Sequence, residues 1–422
     1  MNISIPYGKT FLDLRLPDGA QTRVVKCRLD SYHPEAGEHE LAQRAIDNPI
    51  GSDRLSMLSQ GKKKVVIIAS DHTRPVPSRI IMPLLLSEIR TGNSDADITI
   101  LIATGCHRKT TKDELIDKFG KDIVYNEKIV IHDCADENQL TGIGTLPSGG
   151  ELKINKLAAE ADLLVAEGFI EPHFFAGFSG GRKSVLPGIA SRKTVYWNHN
   201  AEFIHDKNSH AGILENNPIH HDMLYAARLA GLAFICNAVV NSNHEIIGMF
   251  AGDVEKAHLA GCKFLTGLCE SRVEPADIVI TTNNGYPLDQ NLYQAVKGMC
   301  TAEAACKDGG TIIICAACED GLGGDGFAEC FMNEKSPQQI LEEIEKVEKK
   351  DTIADQWQSQ IYARILSKHR IIAITEIDDE KIRAMKLIPA HNLDEALSLA
   401  GYDGSQKITV IPEGISAIIA RD

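Results

Sequence analysis

The chain is short of positive charge: 44 lysines and arginines stand against 58 aspartates and glutamates, a net charge of -14 at pH 7. A nucleic-acid binder usually shows a basic surface, so this balance argues against one. Any anionic ligand must be held in a local cationic pocket set against the global field. No apolar run approaches the length of a membrane span. Met1 to Phe11 has polar breaks and no apolar core segment, unlike a signal peptide, and a cytoplasmic protein is expected. Two cofactor signatures are incomplete. Gly142 and Gly144 lack the third glycine of the dinucleotide fingerprint, and a proline follows, which disfavours a standard NAD-dependent dehydrogenase. Gly180-Gly181-Arg182-Lys183-Ser184 almost matches the phosphate-binding P-loop but has Arg182 where glycine must precede Lys-Ser. The 11 cysteines are odd in number and scattered. Cys315 and Cys318 form a C-x-x-C pair, yet no second pair stands at zinc-site spacing, so buried, reduced, structural thiols are expected. No internal repeat and no low-complexity segment occurs.

What the chain does have is alternation. The 422 residues are too many for one ordinary core, and two or three domains are the prior. Lys64 to Ser70 reads as a buried strand, Ser78 to Arg90 as a helix capped by Ser78, Asp97 to Ala103 as a strand, and Thr111 to Phe119 as a helix with Thr111 and Glu114 at capping-box spacing. Asp162 to Ile170 is another strand. Asn217 and Pro218 open a helix, and Ala233 to Val240 follows as a strand. After a break near Arg272 to Ala276 the alternation restarts: strand Asp277 to Thr281, helix Asn291 to Ala305, strand Thr311 to Cys315, helices around Pro337 to Lys349 and Ala354 to Lys368, strands Arg370 to Thr375 and Lys407 to Ile411. Such alternation specifies an α/β protein with two mostly parallel, Rossmann-like sheets and a cleft between them. The expected division is an N-terminal cofactor-binding and catalytic domain over 1–270, a C-terminal substrate-binding domain over 275–405, and a tail over 406–422 that packs back on the first. Lys9 to Leu16 alternates, and Leu16-Pro17-Asp18-Gly19-Ala20 looks like a hairpin turn, so an antiparallel flap is expected there.

In parallel sheets, ligands bind beyond the carboxyl ends of the strands. Four chemically loaded segments sit there: Ser70 to Pro75, Ala103 to Arg108, Glu171 to His173, and Asn283 to Pro287. Together they would line one cleft. A lone loop histidine is commonly a solvated or structural residue. His107 and His173 at equivalent tips shift the weight toward a pair of general bases, and two bases on opposite sides of one carbon suit a reaction that works on both stereoisomers. Asp71 and Arg74 form either a local ion pair or a clamp in which the Arg74 fork grips a carboxylate or phosphate. Lys183 lies in a small-residue loop suited to ligand contact, ionic or covalent. His199, His205, His210, His220 and His221 fit no familiar zinc motif, and one ligand with the rest on the surface is the preferred reading. Gln294 and Lys297 share a helix face. Trp357 is a packing residue or a pocket wall.

These segments resemble the nickel-pincer-nucleotide lactate racemases over essentially the whole chain. The resemblance rests on Ser70 to Pro75, Thr104 to Arg108, Pro172-His173 through Arg182-Lys183 to Pro187-Gly188, Asn198-His199, and Tyr293 to Lys297. It implies a pyridinium mononucleotide whose two thio-acid arms and one carbon bind nickel. Lys183 would anchor it covalently and His199 would ligate the nickel. Asp71, His72, Thr73 and Arg74 would contact the cofactor. Arg74, Gln294, Lys297 and Trp357 would bind substrate, and His107 and His173 would be the paired acid and base. The implied reaction interconverts D and L forms of a small 2-hydroxy acid, foremost lactate, by proton-coupled hydride transfer through a 2-keto acid. The implied partners are that substrate and, transiently, cofactor-synthesis and nickel-insertion proteins, with a monomer or small homo-oligomer as the working unit. Three alternatives stand beside it: the same cofactor with malate, a longer or aromatic hydroxy acid or a sugar acid; a non-catalytic binder of anionic metabolites; and a zinc hydrolase built on the His199 to His221 segment.

Overall fold

The computed structural model describes residues 1–421. Two six-stranded sheets organise it. The first runs in the order Ile246–Gly252, Leu232–Val240, Leu163–Phe169, Lys64–Ser70, Asp97–Ala103, Lys128–Ile131. Its pairings are parallel except at the Ile246–Gly252 edge. Strands covered on both faces must be apolar throughout. Leu163–Phe169 is buried at every position, Glu167 included. The second sheet runs Ile388–Ala390, Arg370–Ile374, Cys306–Cys315, Ala276–Thr282, Ile408–Ile411, Thr22–Val24, and all its pairings are parallel. One core joins the two. Val66, Ile68 and Leu164 of the first sheet share it with Val279, Ile312 and Ile314 of the second.

Several local expectations hold for their stated reasons. Thr111 and Glu114 form a capping box, and Asn217 caps the helix that Pro218 opens. Ser78 does not cap. Pro77 occupies that position, and the Ser78 hydroxyl instead donates to the buried Glu167 Oε1 at 2.6 Å. The N-terminal hairpin exists, but its turn is Gly8-Lys9 between Asn2–Tyr7 and Thr10–Arg15, with Gly8 at φ +52°. The turn after Leu16 leads instead to Thr22–Val24, which joins the second sheet in parallel.

The sheets do not follow the boundaries at 1–270, 275–405 and 406–422. The hairpin's apolar face, Ile5, Leu14 and Leu16, shares a core with Ile280, Ile313 and Val410, because that face of the second sheet needs a cover. Ile408–Ile411 is an inner strand of the second sheet, between Ala276–Thr282 and Thr22–Val24. Ile418–Arg421 then pairs with Glu270–Val273, and Ile418 shares a small core with Ile170 and Val239 of the first sheet's side.

The hairpin should therefore behave as core. Leu14 is 1% exposed and Phe11 69% exposed. Leu14→Ala should cost about 2–5 kcal/mol in urea unfolding, and Phe11→Ala within about 0.5 kcal/mol. Equal small effects would remove the hairpin from the core.

Candidate active site

Three strand tips of the first sheet and one helix of the second side build the site. At the first tip, the Asp71 carboxylate is buried. Its Oδ1 accepts from Thr73 N at 3.1 Å and Thr73 Oγ1 at 2.6 Å, and its Oδ2 lies 2.7 Å from His107 Nδ1. A carboxylate only accepts, so the His107 proton sits on Nδ1 and its Nε2 keeps a lone pair. Burial alone would raise the Asp71 carboxyl. The His107 hydrogen bond and charge, with Thr73, outweigh it and hold the group at about 2. Arg74 donates to Thr73 Oγ1 at 3.1 Å and stays exposed. His72 Nδ1 lies 3.1 Å from Thr110 Oγ1. With Arg74, Arg79 and Lys118 it lines an open cavity of about 500 Å³ beside the start of the helix Ser78–Gly92.

The second tip carries His107, and the third the loop from Glu171 to Gly188. They are tied by backbone: Gly105, at φ +55°, donates to Gly188 O at 2.9 Å, and Gly188 N donates to Lys183 O at 3.1 Å. Glu171 and Ser179 close the base of the loop with two bonds of 2.9 Å. Between them Pro172–His173 pairs with Gly177–Phe178. Ala176 N donates to His173 Nδ1 at 3.3 Å, which leaves the neutral ring's proton on Nε2. The two histidines thus face the site unequally, one with a lone pair and one with an N–H. Burial, then the charges of Lys183 and Lys297, push the His173 imidazolium far below the usual range.

Arg182 is fully buried and donates to Ala176 O at 2.7 Å and toward Ser179 O and Gly180 O, with His258 Nε2 at 3.0 Å. Lys183 follows it. Burial, then Arg182 and Arg74, lower its ammonium well below the ordinary lysine value, which favours the free amine. Lys297 sits on the helix Leu292–Ala305, three residues after Gln294, whose backbone N–H is capped by Asn291. Burial and the Arg74 charge bring Lys297 down to about 8, although Glu171 opposes them. Arg74, His173, Lys183 and Lys297 therefore converge from both sides of the cleft.

His199 ends the helix Arg192–Asn198. Its ring is edge-on to Phe175 at 5.2 Å and to Trp357 at 5.1 Å, so Trp357 walls this histidine. Burial, then Lys183, lower its pKa to about 3. Its Nδ1 is buried with no hydrogen-bond partner. A neutral imidazole with an unused buried nitrogen suits metal ligation. Among the described residues no three His, Cys, Asp or Glu side chains converge to hold a metal ion. A zinc centre over His199 to His221 is therefore not formed, and His205 lies exposed beside Glu345.

Two placements differ from the sequence reading. Asn283 to Pro287 does not open on the cleft: Asn284 donates to Ser416 Oγ and Tyr286 N to Gly8 O, so this tip holds the hairpin and the C-terminal segment. Glu171 was read only as part of a loop. Its carboxyl is raised by burial against the pull of Arg74, Lys297 and Lys183, which places it among the site cations. Its position directly after an apolar strand and two residues before His173 was the available signal.

Models for the lactate racemase N-terminal domain and the lactate racemase C-terminal domain match residues 7–212 and 271–419. The chain is 54% identical over 421 residues to the lactate racemase of Thermoanaerobacterium thermosaccharolyticum and 50% identical over 420 residues to that of Lactiplantibacillus plantarum, covering 99% of each sequence. The apoprotein structure of the Thermoanaerobacterium enzyme superposes with a TM-score of 0.95 at 54% identity, over the full length of both chains. A Thermotoga maritima protein at 19% identity, covering 93% of this chain and 100% of its own, shares the fold with a TM-score of 0.63. The family models and the relatives define an isomerase, a racemase of hydroxy acids. Within that class, the chain belongs to the lactate racemase family.

Asp71→Asn should free the His107 ring to turn and lower turnover about 10²- to 10⁴-fold with little change in KM. The pair also sets a pH dependence. The Asp71 carboxyl titrates at about 2 when folded against an ordinary 3.8. Its contribution to stability is complete above the ordinary value and is lost as pH falls from there toward 2. Acid unfolding followed by circular dichroism should be less steep in this window for Asp71→Asn. An identical acid profile would mean the pair adds nothing.

Proposed function

We propose that the protein interconverts D- and L-lactate, with a nickel-pincer nucleotide attached at Lys183 and His199 as the protein ligand to nickel. The observation that carries the reading is the unequal pair of imidazoles, His107 and His173, set on separate tips around Arg74, Lys183 and Lys297. A binder of anions has no use for two such rings.

The residues present fit the group. Lys183 is driven toward a free amine, the form able to make a covalent bond, and His199 offers a neutral, unpartnered nitrogen. When bound, the cofactor supplies an electron-poor carbon that takes hydride from substrate C2 and returns it. The chain does the rest. Arg74 and Lys297 hold the substrate carboxylate from the two sides of the cleft, each charge-assisted bond contributing about 1.5–3 kcal/mol. Gln294 adds a contact from the same helix as Lys297, and Trp357 closes the wall beside His199. His107 Nε2 takes the hydroxyl proton of one enantiomer while Asp71 fixes its ring. The planar 2-keto acid turns, and His173 returns a proton from the other side. With the opposite enantiomer the two rings exchange roles. His72 and Thr73 complete the cofactor contacts of the first tip. The proposed setting is the cytoplasm, with cofactor-synthesis and nickel-insertion proteins as transient partners.

Protein co-expressed with cofactor-synthesis enzymes should carry an adduct in intact-mass spectra, and Lys183→Ala should lack it. An unchanged adduct in that variant sinks the attachment site.

Replacing either histidine must stop net racemisation in both directions, because the equilibrium constant between enantiomers is unity. Single-turnover oxidation by His107→Ala and His173→Ala should nonetheless fail for opposite enantiomers. Equal losses toward both in each variant would assign the rings to binding and end the two-base mechanism.

A further inference from the structure

The chain passes between its two sheets in three places. Residues 25–37 follow the strand Thr22–Val24, the strand Glu270–Val273 follows the helix Lys256–Cys269, and residues 412–417 link the last two strands. The three passages lie together. Arg28 N donates to Leu268 O at 3.0 Å, Cys27 N to Glu413 Oε2 at 3.4 Å, and Glu270–Val273 pairs with Ile418–Arg421. A small core gathers Cys27, Leu268, Cys269 and Ile418, and it includes Ile170 and Phe178 from either end of the His173 loop. Within it Cys27 Sγ and Cys269 Sγ are 3.0 Å apart.

We propose that Cys27 and Cys269 form a reversible dithiol–disulfide modification site, oxidised by a peroxide or a small disulfide, that staples two of the three passages. The sulfurs stand about 1 Å beyond a covalent S–S length, on segments already joined by backbone. Cys27 is half-buried and Cys269 fully buried. The hydrogen bond between them lowers the Cys27 thiol and raises that of Cys269, which makes Cys27 the readier nucleophile of the two. The Cys27 thiolate attacks one peroxide oxygen, forming a sulfenic acid and releasing hydroxide. The Cys269 sulfur then attacks the Cys27 sulfur and expels that oxygen, which leaves as water with the Cys269 proton. Hydroxide takes a proton from solvent, so two thiols give two electrons to one peroxide and two waters form. With a small disulfide, Cys27 displaces one thiol and Cys269 the other. A reducing compartment keeps such a pair as thiols, so the bond acts as a response to oxidant rather than a permanent brace.

A second thiol pair competes, because Cys106 and Cys134 lie close enough to shift each other's thiols. The test therefore uses the full chain in a Cys106→Ser background, treated with equimolar hydrogen peroxide, then alkylated and digested without reductant. The expected result is one joined peptide containing Cys27 and Cys269, lighter by two hydrogens and separated again by a thiol reductant. Oxidation should raise the thermal midpoint by several degrees and slow hydrogen exchange at residues 26–32 and 266–273. Adding Cys27→Ser should remove both changes. Cys27 driven to sulfonic acid with no joined peptide overturns the proposal. So does an equal rise in midpoint with Cys27→Ser present.

Discussion

The Arg182 guanidinium is fully buried, and no carboxylate is among the groups that shift it. Its bonds run to the carbonyls of Ala176, Ser179 and Gly180 and to His258. Removing a charge from water costs several kcal/mol, and only hydrogen bonds of good geometry offset that cost. Burial accordingly brings Arg182 down to about 10. In exchange, one side chain fixes the path of the loop between His173 and Lys183. Asn237 on the neighbouring strand completes the grip by accepting from Gly181 N at 2.7 Å. Everything the site does from this loop depends on that clasp.

The clasp also shapes the electrostatics. An uncompensated cation beside Lys183, with Arg74 on a neighbouring tip and Lys297 across the cleft, creates a strongly positive interior in a protein whose net charge is -14. Glu171 tempers it without cancelling it. Such a cleft is ready for an anion and is hostile to further positive charge; burial first, and this charge second, keep His173 and His199 neutral. Opposite the loop, Asp71 gives His107 a private counter-charge. His107 and His173 thus obtain different proton positions, one from the Asp71 carboxylate and the other from the Ala176 N–H.

Most of the first sheet was legible because its strands are unbroken apolar runs that end in polar tips, and periodicity and capping residues report such order directly. The family resemblance supplied the roles of Lys183, His199, Gln294 and Lys297, which spacing alone left open. What escaped was long-range. The Gly8 turn was hidden because Leu16 to Ala20 has the stronger turn composition, yet the strand it feeds pairs with residues from the other end of the chain. Ser78 had the composition of a cap, but a buried carboxyl outbid the backbone for its hydroxyl. Arg182 read as a departure from the P-loop, and nothing local marks an arginine as buried. Asp71 showed its proximity to Arg74, while its bond to His107 depends on the register of two neighbouring strands.

The edge strand Thr22–Val24 has consequences for synthesis. Its partner, Ile408–Ile411, lies near the opposite end of the chain. The hairpin before it leaves the ribosome well ahead of that partner, with Ile5, Leu14 and Leu16 exposed until the sheet that covers them is complete. At about 5–20 residues per second, that interval lasts on the order of tens of seconds. For that long the newborn chain carries an uncovered apolar face. Neither half of the protein is finished until the final strands arrive.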